Sequence, residues 1–206
     1  MSFMDQDSGN TLFPIFIKLD QIHTLVVGGG YVGLEKLEAL LKNCPRARIT
    51  LVAKEILQEE IRELAKAHPF VELIERPFEE KDLDKKDFVI LATDDPNLHE
   101  GIKTITRNRN IITNVADTPK LCDAYLGSVV KKGDLKIAIS TNGKSPTISK
   151  RMREYLTEAI PDTENMQELL DNMKEIRDRL KGDFEYKVKM LDKITQDWLE
   201  EQKKGE

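Results

Sequence analysis

The strongest constraint in this chain is a short apolar run that stops dead on glycine. Leu25-Val26-Val27 ends at Gly28-Gly29-Gly30, and Tyr31-Val32-Gly33 completes a GxGxxG pattern. From Val32 onward Leu34, Leu37 and Leu41 recur at helical spacing, until Pro45 ends the pattern. A strand, a glycine turn and a helix in that order make the motif informative, because the glycines let backbone approach a pyrophosphate. The helix start then offers unpaired N–H groups and the positive end of its dipole. The alternative is a tight strand–helix turn that binds nothing. On this reading Gly28, Gly29, Gly30, Tyr31 and Val32 are candidate cofactor-binding residues.

The same alternation continues along the chain. Ile49–Val52 reads as a second strand and residues 55–67 as a helix with Ile56, Ile61 and Leu64 on one side. Val71–Ile74 reads as a third strand and Phe88–Ala92 as a fourth, apolar throughout as for a strand covered on both faces. A helix over 96–107 opens at Pro96, and Ile111–Val115 is a fifth strand. Strands alternating with helices predict βαβ units and a parallel, Rossmann-like sheet whose ligands bind beyond the carboxyl ends of the strands.

That rule selects further candidates. Lys54 and Glu55 end the second strand, where an acidic residue would hold a ribose and a cation would tolerate a phosphate, so NAD and NADP both remain open. Thr93 and Asp94 end the fourth strand, beside Asp95, and each aspartate has helix capping as its alternative. Asn114 and Val115 end the fifth and place a polar group toward the cleft; Asp117 comes next, either as a proton-transferring carboxylate or as an Asx turn before Pro119.

After about residue 116 the pattern changes. Tyr125–Lys131 and Leu135–Ser140 read as a hairpin across Lys131-Lys132-Gly133-Asp134, and Ser145-Pro146 as the start of a helix running to about Ala159. Two apolar stripes come after it. One comprises Met166, Leu169, Leu170, Met173, Ile176 and Leu180; the other Phe184, Val188, Leu191, Ile194 and Trp198. Both suit core packing or a partner helix. The expected organisation is therefore α/β: a dinucleotide-binding domain over 1–115, a small β region over 116–146 and a helical region over 147–206.

Composition removes several classes. With 32 Lys+Arg against 37 Asp+Glu among 206 residues the net charge is −5, which argues against nucleic acid as the partner. Two cysteines, Cys44 and Cys122, and three histidines in no metal spacing give neither a disulfide framework nor a zinc site, so no metal ligands are assigned. His99 is expected to be exposed on its helix. No apolar run reaches the length of a membrane span and the first residues lack a signal-peptide pattern, so the expected compartment is the cytoplasm.

Five segments, in order, resemble one family. Leu12–Ile17, Val26–Val32 with Lys36, Ala92-Thr93-Asp94-Asp95, Asn114–Pro119 with Cys122-Asp123, and Ile137–Pro146 resemble the precorrin-2 dehydrogenase family, which includes the N-terminal module of siroheme synthases. The resemblance runs from about Phe13 to Glu158. It implies oxidation of precorrin-2 to sirohydrochlorin with NAD as cofactor, in some members also insertion of Fe²⁺, and a homodimer built by the residues after about 116. It implies that Asp117 is the catalytic carboxylate for both activities. Ser128, Thr141, Lys144 and Ser145 then become candidate substrate-binding residues. Lys131, Lys132, Lys150, Arg151 and Arg153 are cations able to offset the carboxylates of a tetrapyrrole. Departures from the family pattern fall at Gly33, Glu35, Lys54 and Gly127-Ser128, and none removes Asp117. A Rossmann module also permits a different class of function, an NAD- or tetrapyrrole-binding regulatory module without turnover.

Overall fold

A computed structural model describes residues 9–204, with side-chain environments for 9–196. The chain forms two compact units, Met1–Leu126 and Gly127–Glu206.

The first unit is a five-stranded parallel sheet. Its strands are β1 (His23–Val27), β2 (Arg48–Ala53), β3 (Val71–Glu75), β4 (Phe88–Leu91) and β5 (Ile112–Val115), in spatial order β3-β2-β1-β4-β5. The helices α1 (Tyr31–Asn43), α2 (Glu59–Ala67) and α3 (Pro96–Asn108) lie between β1 and β2, β2 and β3, and β4 and β5. Only a 3-10 turn, Glu80–Leu83, occupies the connection from β3 to β4. Strand periodicity sorts the core into two layers. Val26, Leu51 and Ile90 face the cluster containing Leu37, Leu40 and Ile61 of α1 and α2. Leu25, Val27, Val52, Val89 and Leu91 face the other, with Ile102 of α3. A sheet covered on both faces explains why the strands read as continuous apolar runs.

The second helix is shorter than the sequence suggests. It starts at Glu59, not at residue 55, and Ile56 sits in the preceding loop, buried in the core beside Ile61. An apolar residue at helical spacing is here a loop anchor: the Glu75 carboxylate accepts the Ile56 N–H at 3.0 Å and leaves no helical partner for it.

In the second unit β6 (Ser128–Lys132) and β7 (Leu135–Ile139) pair antiparallel, so Tyr125–Gly127 precede the strand instead of belonging to it. The helices α4 (Pro146–Ala159), α5 (Thr163–Arg179) and α6 (Phe184–Lys204) complete the chain order. Met166 is buried, but Phe184, Val188 and Ile194 of the last stripe are exposed; the Trp198 side chain lies outside the described residues. Among the described residues no helix is long and apolar enough to cross a membrane.

Candidate cofactor cleft

The order β3-β2-β1-β4-β5 reverses direction between β1 and β4, because the chain leaves β1 toward β2 and returns to β4 on the other side. The loops at the carboxyl ends of these two strands therefore part, and a crevice opens between them. A cleft of about 830 Å³ lies there. Its walls include Gly28–Val32, Lys54 and Glu55, Thr93 and Asp94, and Asp117 and Thr118.

Each glycine does a different job. Gly28 has φ +131, and a Cβ there would stand 2.3 Å from the Ala92 carbonyl oxygen, so only glycine lets β1 turn against the end of β4. A Cβ on Gly33 would meet the Gly28 carbonyl oxygen at 2.2 Å, which sets the close approach of α1 to the loop. Gly30 has open space where its Cβ would be. It is the N-cap of α1, no side chain caps the helix, and its first-turn N–H groups are left for a ligand. An uncapped helix start beside a backbone that no Cβ crowds fits the pyrophosphate of a dinucleotide. Gly30, Tyr31 and Val32 would hold it there, and Lys54 and Glu55 would face the adjoining ribose.

The loop bearing Lys54 and Glu55 is fastened at two points. The Leu57 N–H donates to the Gly29 carbonyl at 2.9 Å, and Glu75 receives the Ile56 N–H and two hydrogen bonds from Arg62. These bonds to the charged form hold the Glu75 carboxyl below its ordinary value.

At the end of β4 the Asp95 carboxylate caps α3 by accepting the Leu98 N–H at 3.0 Å, while Asp94 stays exposed on the cleft wall. His99 corrects the sequence reading. It is only 4% exposed and its Nε2 lies 2.8 Å from the Thr93 hydroxyl. The reason is α3's inward face: His99, Ile102, Lys103 and Thr106 fall at i, i+3, i+4 and i+7 and all are buried. Three of the four are polar, so the stripe does not register as apolar, yet each polar member has a partner. His99 meets Thr93, Lys103 pairs with Asp123, and Thr106 accepts from the Thr113 hydroxyl. Burial lowers the His99 pKa below its ordinary 6.5, against the pull of Asp95 and Asp94.

Beyond β5 the chain makes a tight turn with Asp117 at φ +57, a left-handed conformation that aspartate tolerates better than most residues. Asp117 is exposed on the cleft wall. Asn114 and Val115 are not part of that wall. The Asn114 amide donates to the Ala124 carbonyl at 2.9 Å and so ties down the segment after the turn, where the sequence placed it toward the cleft. The Cys122 thiol sits inside the same turn, accepting the Val115 N–H at 3.2 Å and within reach of the Val115 and Thr118 carbonyls.

Sequence reasoning missed Leu57, Pro77 and Phe78, which also line the cleft. The signal was available: Pro77-Phe78 comes just after the end of β3, and every strand of such a sheet delivers its next loop to the same edge.

The second unit holds the remaining candidates. Ser145 caps α4, accepting the Ile148 N–H at 3.2 Å, and the Thr141 hydroxyl donates to the Ser145 carbonyl at 3.2 Å. Both close the loop 141–145; Lys144 is exposed on it and Ser128 opens β6. Among the described residues no three His, Cys, Asp or Glu side chains converge as a metal site would require.

Strand order, glycine turn and cleft together define a dinucleotide-binding protein of the Rossmann class. Residues 15–128 match the family described as putative NAD(P)-binding, and residues 132–159 match the sirohaem biosynthesis protein central family. The chain belongs to the putative NAD(P)-binding family, its cofactor is of the NAD(P) class, and the resemblance to the siroheme-synthase module is borne out. It is 42% identical over 148 residues to the siroheme synthase of Pseudoalteromonas translucida and 36% identical over 149 residues to that of Thioalkalivibrio sulfidiphilus. Each match covers 72% of this chain and 30% of the relative, so the chain spans about a third of the length of these proteins. The solved structure of SirC, a precorrin-2 dehydrogenase, shares the fold, with a TM-score of 0.69 at 24% identity over 94% of this chain and all of that one.

Proposed function

We propose that this chain is an NAD⁺-dependent dehydrogenase that oxidises precorrin-2 to sirohydrochlorin in the cytoplasmic synthesis of siroheme. The observation that carries the reading is the meeting of the glycine cradle with Asp117 on the walls of one cleft. Bound NAD⁺ supplies the two-electron acceptor. The chain supplies position and a proton acceptor: the first turn of α1 anchors the pyrophosphate, and the Asp117 carboxylate takes the proton that the tetrapyrrole must lose. Residues 1–115 serve as the cofactor domain, 116–146 as the dimerisation region and 147–206 as its helical complement. Ser128, Thr141, Lys144 and Ser145 are proposed to contact the substrate, where Lys144 would offset its carboxylates. Insertion of Fe²⁺ into sirohydrochlorin is proposed as a second reaction of Asp117, on the family resemblance alone. A homodimer is proposed on the same resemblance, and it is supported by Ile148, Met152 and Tyr155, an exposed apolar stripe on α4.

The test is anaerobic turnover of precorrin-2 with NAD⁺, following NADH and the sirohydrochlorin spectrum together. Asp117→Asn preserves a residue type that accepts the left-handed turn, so it should fold and bind NAD⁺ but lose about 10²-fold or more in kcat. A wild-type protein that binds NAD⁺ and precorrin-2 yet makes no NADH would establish the regulatory-module reading instead. Co²⁺ or Fe²⁺ insertion above the uncatalysed rate decides the second activity.

A further inference from the structure

His99 is buried, titratable and unused in the proposed reaction. Among the described residues its ring has one hydrogen-bond partner, the Thr93 hydroxyl. Thr93 lines the cleft beside the glycine turn, and a Cβ on Gly28 would come 3.3 Å from its backbone nitrogen. Its hydroxyl also receives the Asp95 N–H at 3.4 Å. A hydroxyl has one proton to give and two lone pairs. If His99 Nε2 accepts, that proton is consumed inside the wall. If Nε2–H donates, both lone pairs are taken and the proton turns to the cleft.

The surroundings favour the second arrangement. His99 also lines the cleft, so its second ring nitrogen is not a stranded buried atom in either tautomer, and the choice between them falls to what the loop must offer a ligand. The ring sits in the first turns of α3, and that position and its burial both favour the neutral form. The loop needs a donor. Asp94 and Asp95 are its other side chains, both acceptors, whereas a dinucleotide would bring phosphate and ribose oxygens to the loop.

We propose that His99 is a positioning residue for the dinucleotide: its Nε2–H donates to the Thr93 hydroxyl and so presents the Thr93 proton to an oxygen of the bound cofactor. The inference rests on NAD binding in this cleft and deepens the reading of that site.

Two measurements test it without precorrin-2. The ¹⁵N shifts of the His99 ring in the wild-type protein at pH 7.5 should show the proton on Nε2; a proton on Nδ1 overturns the proposal. NAD⁺ titrations should give a Kd raised about five- to tenfold in His99→Leu and in Thr93→Val, the loss of one hydrogen bond. The double variant should be no weaker than Thr93→Val alone. His99→Gln, which keeps a donor, and Thr93→Ser, which keeps the hydroxyl, should stay within about twofold of wild type. Effects that multiply in the double variant, or a Gln variant as weak as Leu, would mean that His99 only fills space. Should His99→Leu not fold, the ring shifts and the Gln, Val and Ser variants still decide. A wild type that binds NAD⁺ but does not oxidise precorrin-2 removes the dehydrogenase reading and leaves this one standing; a wild type that does not bind NAD⁺ removes both.

Discussion

At the scale of single residues, the glycine loop separates folding from binding. Gly28 is demanded by the fold: φ +131 and an approach of 2.3 Å between a Cβ and the Ala92 carbonyl oxygen leave no relaxed alternative. Gly28→Ala should lower stability by about 3 kcal/mol, strain and clash together, as read by urea unfolding. Gly30 is not demanded by the fold, and its proposed role is to admit the ligand. Nothing lies within 4 Å of its absent Cβ, so Gly30→Ala should melt within about 1 kcal/mol of wild type. The new methyl would nevertheless occupy the cradle at the start of α1 and weaken NAD⁺ binding at least tenfold in calorimetry. An unchanged affinity would mean that the pyrophosphate does not approach this backbone.

At the scale of elements, α3 and the segment after β5 form one clamp. Lys103 is 7% exposed at its side chain and pairs with Asp123, which is 45% exposed and also accepts the Thr113 N–H at 3.0 Å. Removing either partner is therefore not symmetrical. Asp123→Asn leaves a buried ammonium without its counter-charge and should cost about 3 kcal/mol. Lys103→Met keeps the stem volume and leaves a carboxylate that water can reach, so its cost should be about 1 kcal/mol after allowance for solvent screening. Equal losses in denaturant titrations would show that the pair is not differentially buried. Because Asn114 and Cys122 hold the same segment, Asp123→Asn should also lower kcat more than it raises the KM for NAD⁺, by loosening the turn that presents Asp117.

For the whole molecule, stability depends on pH through histidines and carboxylates alike, with His23 lowered by burial as His99 is and Glu75 lowered by its hydrogen bonds. His99 has its pKa lowered by burial from an ordinary 6.5, so the unfolded chain takes up a proton that the folded chain refuses. Its stabilising contribution is full above about pH 6.5 and falls as the pH drops toward the folded value. Asp82 has its pKa lowered from 3.8, chiefly by the Arg76 hydrogen bonds, and its contribution is lost only as the pH falls below that value. Urea unfolding between pH 4.5 and 8 should therefore show a decline beginning near 6.5 that is smaller in His99→Gln. The second unit makes a separate demand. Among its described residues only Val130, Ser149 and Met166 are buried, while Ile148, Met152, Tyr155, Phe184, Tyr186, Val188 and Ile194 are exposed. Sedimentation should find a dimer, and Ile148→Asp with Met152→Asp should shift it toward monomer while the NAD⁺ affinity of the first unit is retained.

The residues themselves determined the elements and their order. A strand that ends on glycine before a helix, and apolar runs separated by helical stripes, are local signals: side-chain period comes from backbone geometry and needs no distant partner. The loops at strand ends were legible for the same reason, because a parallel sheet sends them all to one edge. What each loop residue touches was not. Asn114 and Thr93 stand alike at strand ends, yet the Asn114 amide reaches sideways to Ala124 and Thr93 reaches back to His99. His99 read as exposed because its stripe is polar, and only the packing of α3 on the sheet supplies the partners that make a polar face buriable. Strand order was decided at the same level. It brings Gly28–Val32 and Asp117 to one cleft although the chain between them passes through four more strands, and such pairings are set by how helices and sheet close on a shared core.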